Sequence, residues 1–225
     1  MKYSETTPVQ YQEGTVRFLG MDIPVDERVL IPRPETELLV EVVAGICEEK
    51  RWKEPFILDI GTGSGAIALG ITKLVDTAHV IASDVSQDVL ALAGENIKKF
   101  KREERIELTS SDMFSAFGSE YNDCFDCVVS NPPYVSDKDY GALDAWVKAE
   151  PALALLAGAE GLDCLKVIAA ESSRVIKPGG VLAVEVGYDQ AQKVKILFEE
   201  YGFSDIKGFV DFGGHERVII GRRHG

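Results

Sequence analysis

The chain has 225 residues, 45% hydrophobic and 27% charged, a balance that can bury a sizeable core and excludes a disordered chain. Lys and Arg number 24 against 37 Asp and Glu, for a formal net charge of −13. That charge opposes a bare phosphate-binding surface, whose affinity comes from Lys and Arg displacing counterions. The first ten residues, MKYSETTPVQ, hold no apolar signal region, and no run approaches the ~18 apolar residues of a membrane span. Four cysteines, Cys47, Cys124, Cys127 and Cys164, are too few for a disulfide framework. The expectation is a soluble, cytoplasmic protein.

In chain order, Thr15–Leu19 and Ile23–Val25 around Gly20-Met21-Asp22 read as a β-hairpin. Pro32 and Pro34 then break the chain, and a helix is predicted over Glu35–Glu49 with acidic residues in its first turn. Phe56–Ile60 reads as a strand ending in glycines, and Ala66, Ile67, Leu69, Ile71 and Leu74 fit a buried helix. Val80–Ser83 is a second strand, followed by a helix carrying Val89, Leu90, Leu92, Ala93 and Ile97. Ile106–Leu108 and Phe125–Ser130 are a third and a fourth. A helix over Leu162–Ile176 is expected to stop at Pro178-Gly179-Gly180, before a strand over Val181–Val186. Ala191, Val194, Leu197, Phe198 and Tyr201 recur at helical spacing, and Phe203–Val210 and Arg217–Ile220 are two last strands. Their link, Asp211–Gly214, is too short for a helical crossover and implies an antiparallel pair. The whole is an α/β sheet with helices on both faces and one reversed strand at its C-terminal end.

Cys124 and Cys127 spell C-x-x-C, but residues 124–130 also read as a buried strand, where positions three apart point to opposite faces. No second Cys/His pair follows at ligand spacing, so buried thiols are expected and no metal site.

Asp59-Ile60-Gly61-Thr62-Gly63-Ser64-Gly65 lies between the first main strand and its helix. Glycines there let the backbone turn tightly and approach a ligand at the strand's C-terminal edge. Gly61, Gly63 and Ala66 also satisfy the dinucleotide fingerprint, and Asp84 ends the second strand where either reading wants a carboxylate for ribose hydroxyls. The glycines alone leave NAD and S-adenosylmethionine both open. The reversed last strand departs from the all-parallel dinucleotide sheet and favours the methyl donor.

Asn131-Pro132-Pro133-Tyr134 follows the fourth strand directly. Two prolines fix two φ angles and remove two donors. The Asn131 side-chain oxygen and the Pro132 carbonyl then make two acceptors on a stiff frame, matched to the two N–H donors of a planar NH2 group. Tyr134 offers an aromatic face on which such a group could stack. An amide nitrogen is a poor nucleophile because its lone pair is delocalised, so orienting that lone pair toward a reactive methyl is the main catalytic task.

Val29 to Glu37 (VLIPRPETE), the Gly61–Gly65 loop and Asn131–Tyr134 together resemble the HemK/PrmC family. The resemblance runs from about Val9 to Arg223 and includes Glu150-Pro151, Glu160–Asp163 and Asp211–Arg217. It implies the class I S-adenosylmethionine-dependent methyltransferase fold, Rossmann-like, with a seven-stranded sheet whose last strand is antiparallel, plus the N-terminal hairpin. Residues 1–34 would be an N-terminal segment and 35–225 the catalytic domain. The implied activity is N5-methylation of a glutamine side chain in a peptide chain release factor, with S-adenosyl-L-methionine as cofactor. Asp59, Gly61, Thr62, Gly63, Ser64 and Gly65 would serve the methionine part of the cofactor, Asp84 its ribose, and Asp112 and Met113 its adenine. Asn131, Pro132, Pro133 and Tyr134 would hold the glutamine amide, with Asn131 also near the cofactor, and Arg33 and Glu35 would belong to the rim. Met113 stands where relatives often carry an aromatic ring, and it would give a polarizable contact instead. The family usually carries a helical domain before the hairpin, whereas this sequence starts almost at the hairpin. An adenine-N6 or RNA amino-methyltransferase and a catalytically silent methyltransferase-fold subunit are the alternatives; the charge of −13 opposes the first and the intact motifs the second.

Overall fold

The computed structural model describes residues 6–224, so the first five residues of the 1–34 segment lie outside it. A short helix, α1 (Val9–Glu13), ends at Gly14 in the left-handed conformation and leads into the hairpin β1 (Thr15–Phe18) and β2 (Met21–Pro24). Phe18 pairs with Met21, so the turn is Leu19-Gly20 and not Gly20-Met21-Asp22 as the sequence suggested. Both turn residues have positive φ, as a twisted two-residue hairpin turn requires. Leucine tolerates this because tertiary contacts hold it: its N–H donates to Glu37 Oε1 (2.6 Å) and its carbonyl accepts from Lys73 Nζ (2.5 Å).

Helix α2 (Pro34–Lys50) starts with proline at its first turn, beside Glu35 and Glu37. This composition suits the orphan N–H groups of a helix start. The alternation that follows is β3 (Phe56–Ile60), α3 (Ala66–Leu74), β4 (His79–Asp84), α4 (Gln87–Lys99), β5 (Ile106–Ser110) and β6 (Phe125–Ser130). A single-turn helix, α5 (Asp137–Tyr140), lies in the long connection to α6 (Asp163–Val175), and β7 (Ile176–Glu185), α7 (Ala191–Glu200), β8 (Phe203–Val210) and β9 (Glu216–Arg223) complete the fold. The sheet order is β5-β4-β3-β6-β7-β9-β8. Strand β9 slots between β7 and β8 and is antiparallel to both, whereas the other neighbours pair parallel.

Alternate residues of the central strands feed opposite cores. Ile57, Val80, Cys127, Val129 and Ala183 face α2, α3 and the hairpin. Leu58, Ile81, Val128, Leu182 and Val184 face α6 and α7. Helix α6 ends at Val175, and β7 starts at once, running through Pro178-Gly179-Gly180 as a bulge: Phe125 pairs with Ile176, but Cys127 pairs with Val181. The sequence placed the helix end and the strand start on either side of that triplet. The fully buried Ile176 and the N–H groups of Asp123 and Cys124, which bond to the carbonyls of Arg174 and Val175, pull the chain into the sheet earlier. Cys124 thus precedes β6 half-buried, and Cys127 is fully buried.

Gly70, in the middle of α3, marks where hairpin and helices meet. A Cβ there would lie 2.9 Å from Leu19 Cδ1 and 3.0 Å from Val40 Cγ1, whereas Gly45, exposed on α2, has nothing within 4 Å. Gly70→Leu therefore overpacks this seam and costs roughly 1–3 kcal/mol, whereas Gly45→Ala stabilises by about 0.5–1 kcal/mol through helix propensity. Urea midpoints check both; equal signs would show that the seam is not tightly packed.

Candidate active site

Beyond the C-terminal ends of β3, β4 and β6, the glycine loop forms one wall of a cavity of about 330 Å³. Chain geometry builds that wall. The N–H groups of Gly61 and Thr62 both donate to the Ser83 carbonyl (2.9 Å each), and Gly61, Gly63 and Gly65 all adopt positive φ. The Gly63 N–H donates to Asp84 Oδ2 (3.1 Å), and the Ser86 N–H donates to Asp84 Oδ1 (3.1 Å). Asp84 thus shapes the loop and keeps a half-buried carboxylate on the cavity. Asp59 lies beneath, wholly buried, with Oδ2 accepting from the Thr62 hydroxyl (2.7 Å) and Oδ1 unpartnered. Burial pushes its carboxyl up to about 7; the Thr62 hydroxyl opposes the rise and the nearby Asp84 adds to it.

Gly61, Thr62, Gly63, Ser64 and Asp84 line the cavity, as do Asp112 and Met113. Met113 sits in the left-handed region (φ +47°), its carbonyl accepting from the Ser111 hydroxyl (2.8 Å). Asn131 and Pro133 complete the predicted residues on the wall. Asp59, Gly65, Pro132 and Tyr134 are not on it; Gly65 caps the start of α3, and Pro132 is buried. Arg33 and Glu35 are also off the wall. Arg33 instead pairs with the buried Glu150 and lies over the Trp146 ring (5.7 Å), while Glu150 Oε2 accepts from the Ile31 N–H (2.9 Å). This clamp ties the 29–34 strap to the 150–156 loop, and Pro32, Pro151 and Leu156 from the two segments close the cavity's apolar side.

The β6 ladder stops where Pro132 and Pro133 lack N–H groups. Asn131 Nδ2 donates to Thr36 Oγ1 (3.0 Å), Thr36 Oγ1 donates to Glu185 Oε2 (2.7 Å), and the Tyr134 hydroxyl donates to Glu185 Oε1 (3.3 Å). Arg217 Nη2 donates to the Tyr134 hydroxyl (3.1 Å), stands 3.7 Å from Glu185, and lies over the Tyr134 ring (5.5 Å). Sequence reasoning gave Tyr134 a free face for a planar ligand. Here its ring is engaged by Arg217 and packed beside the α6–α7 core, and burial drives its hydroxyl pKa far above the ordinary value, with Glu185 adding to the rise. Glu185 is fully buried; desolvation lifts its carboxyl to about 6, opposed by the Thr36 hydroxyl and Arg217. Sequence reasoning missed Thr36, Glu185 and Arg217. The available signal was an acidic residue inside the apolar run Val181–Val186.

The sheet order, the reversed β9 and the glycine loop define a class I S-adenosylmethionine-dependent methyltransferase fold. A methyltransferase from Pyrococcus furiosus superimposes with a TM-score of 0.66 at 20% identity, covering 92% of this chain and 91% of its own. The Thermus thermophilus 16S rRNA N2 G1207 methyltransferase, in complex with AdoMet and guanosine, gives 0.63 at 20% identity over 93% of this chain and 50% of its own. A family model described as "Methyltransferase small domain" matches residues 34–158. The release factor glutamine methyltransferase of Clostridium acetobutylicum is 38% identical over 219 residues, 97% of this chain and 76% of that protein. That of Streptococcus pneumoniae is 44% identical over 215 residues, 95% of this chain and 74% of its own. The chain belongs to the release factor glutamine methyltransferase family.

Asp59 and Glu185 both hold raised carboxyl pKa values, so between about pH 4.5 and 7 the folded protein binds more protons than the unfolded one. Their contribution therefore favours the fold at the acid end of that window and is lost as pH rises. Asp59→Asn removes a share of this dependence, and urea unfolding at pH 5 and pH 7 should show a smaller difference than in the unsubstituted protein. An unchanged difference would place Asp59 at an ordinary pKa.

Proposed function

We propose that this protein transfers a methyl group from S-adenosylmethionine to the side-chain N5 of a glutamine in a peptide chain release factor. The observation that carries the reading is Asn131 Oδ1: a buried acceptor without a partner, on a side chain that lines the cavity. An unsatisfied buried polar atom costs roughly 1–3 kcal/mol, and a carboxamide N–H would relieve it.

The cavity residues fit the cofactor. Gly61, Thr62, Gly63 and Ser64 offer close backbone approach for its methionine part, Asp84 a carboxylate for ribose hydroxyls, and Asp112 and Met113 a border for adenine. Bound S-adenosylmethionine supplies an electrophilic sulfonium methyl. The chain's own work is orientation. Asn131 Oδ1 takes an N–H of the glutamine amide, which sets the direction of its nitrogen lone pair. The apolar side built by Pro32, Pro151 and Leu156 keeps water from competing for the same acceptors. No strong base is required, because the methylated nitrogen is acidic enough to release its proton afterwards. In this reading residues 35–225 form the catalytic domain, and the hairpin-bearing 1–34 segment braces α2 and α3 through the seam at Gly70.

The acceptor is protein and not nucleic acid on the charge argument: 37 carboxylates against 24 basic side chains compete with phosphate. A cytoplasmic location agrees with four free cysteines among the described residues and with the absence there of any helix long and apolar enough to cross a membrane.

Mass spectrometry of release factor incubated with protein and methyl donor tests the reading. One methyl on one glutamine is expected, with none on the release factor's Gln→Ala variant or on single-stranded DNA. Label in DNA, or label persisting in the variant, would overturn it. Asn131→Ala should lower the transfer rate by roughly 10²-fold with donor affinity little changed. Asp84→Ala should raise the KM for the donor first.

A further inference from the structure

The side-chain amide of Asn131 has two ends, and only one of them suits the acceptor. If Oδ1 faces the cavity, it accepts from a carboxamide NH2; if Nδ2 faces it, two donors oppose each other. Asparagine by itself has no preference between the two orientations. The chain behind it supplies one. Thr36 Oγ1 carries a single proton, and that proton goes to Glu185 Oε2 at 2.7 Å. An ionised carboxylate only accepts, so the proton cannot turn the other way. Thr36 Oγ1 is thereby left with lone pairs alone toward Asn131, at 3.0 Å, and only the NH2 end can satisfy it.

We propose that Thr36 and Glu185 are positioning residues that lock the Asn131 amide with its NH2 toward Thr36, leaving its unpartnered oxygen as the acceptor for the NH2 group that is methylated. The inference deepens the proposed function and rests on it for the identity of the acceptor, though the lock is a property of the chain alone. Glu185 is off the cavity wall and acts through Thr36; Thr36 is on the wall and acts through its bond from Asn131. The relay is well isolated, since Thr36 is 3% exposed and Glu185 0%, and in such surroundings a wrong hydrogen-bond direction is not rescued by water.

The lock is also proton-sensitive. From α2 Thr36 donates to Glu185, and Glu35 adds a like charge; from the turn after β6 Tyr134 donates; from β9 Arg217 adds a cation. Burial wins over these and holds the carboxyl at about 6. Once protonated, Glu185 can donate to Thr36 Oγ1, which frees the Thr36 proton to point at Asn131 and removes the preference. Ionised Glu185 is the locking form, so the lock is present above about pH 6 and fades below it.

Two measurements test this, one of which needs no acceptor. In 15N-resolved NMR the Asn131 side-chain pair, identified by its loss in Asn131→Ala, should show one proton shielded from solvent exchange. Thr36→Val should expose that proton, Thr36→Ser should restore its protection, and acidification through pH 6 should weaken it in the unsubstituted protein but not in Glu185→Gln. In methyl transfer to release factor, Thr36→Val should lower kcat roughly tenfold or more with unchanged donor binding by calorimetry, and Thr36→Ser should recover most of it. Calorimetric donor binding also reports that each variant is folded. Exchange protection indifferent to Thr36→Val overturns the lock, whatever the enzyme does. Protection lost in Thr36→Val with kcat unchanged overturns the claim that the locked oxygen receives the NH2 group that is methylated. A protected pair that responds as expected, in a protein that leaves release factor unmethylated, supports the lock and sinks the proposed acceptor.

Discussion

A carboxylate buried at the end of a central strand organises this molecule. Glu185 closes β7 with no exposed surface, and an ionised carboxylate in such a place costs several kcal/mol unless donors surround it. Its partners come from three separate parts of the chain: two donors, Thr36 at the start of α2 and Tyr134 in the double-proline turn, and a cation, Arg217 at the start of the reversed strand β9. Satisfying one charge therefore ties together α2, the double-proline turn and the strand that distinguishes this fold from an all-parallel sheet. Tyr134 takes part in this, with its hydroxyl between Glu185 and Arg217 and the guanidinium over its ring.

The opposite wall follows the same economy of double use. Asp84 both accepts the Gly63 N–H and presents a carboxylate to the cavity. Removing it disturbs the shape of the glycine loop, because the turn is held by the bonds of Gly61 and Thr62 to Ser83 and of Gly63 to Asp84. Arg33 and Glu150 do for the roof what Asp84 does for the floor. Their pairing joins segments 117 residues apart and brings Pro32 and Pro151 to the same cavity.

Much of this was legible in the sequence because it is local. The β3–loop–α3 unit is written in one apolar run, three glycines and one amphipathic helix, and the reversed strand in the brevity of Asp211–Gly214. The hairpin turn was misread by a residue because Leu19 adopts positive φ only with help from Glu37 and Lys73, 18 and 54 positions away. Pro178-Gly179-Gly180 looked like a break before the strand, and a bulge keeps it inside β7. The double-proline turn after β6 was legible as a stiff frame, whereas the network behind Asn131 was not. Thr36 and Glu185 stand 149 residues apart, and no local pattern joins them.

The account's central claim is the direction of one amide, and neutron diffraction from a deuterium-exchanged crystal reads it directly. Two deuterons should appear on the Asn131 side-chain atom that faces Thr36, one deuteron between Thr36 and Glu185, and none on the other Asn131 side-chain atom. Deuterons on that other atom, with a bare oxygen toward Thr36, would contradict it.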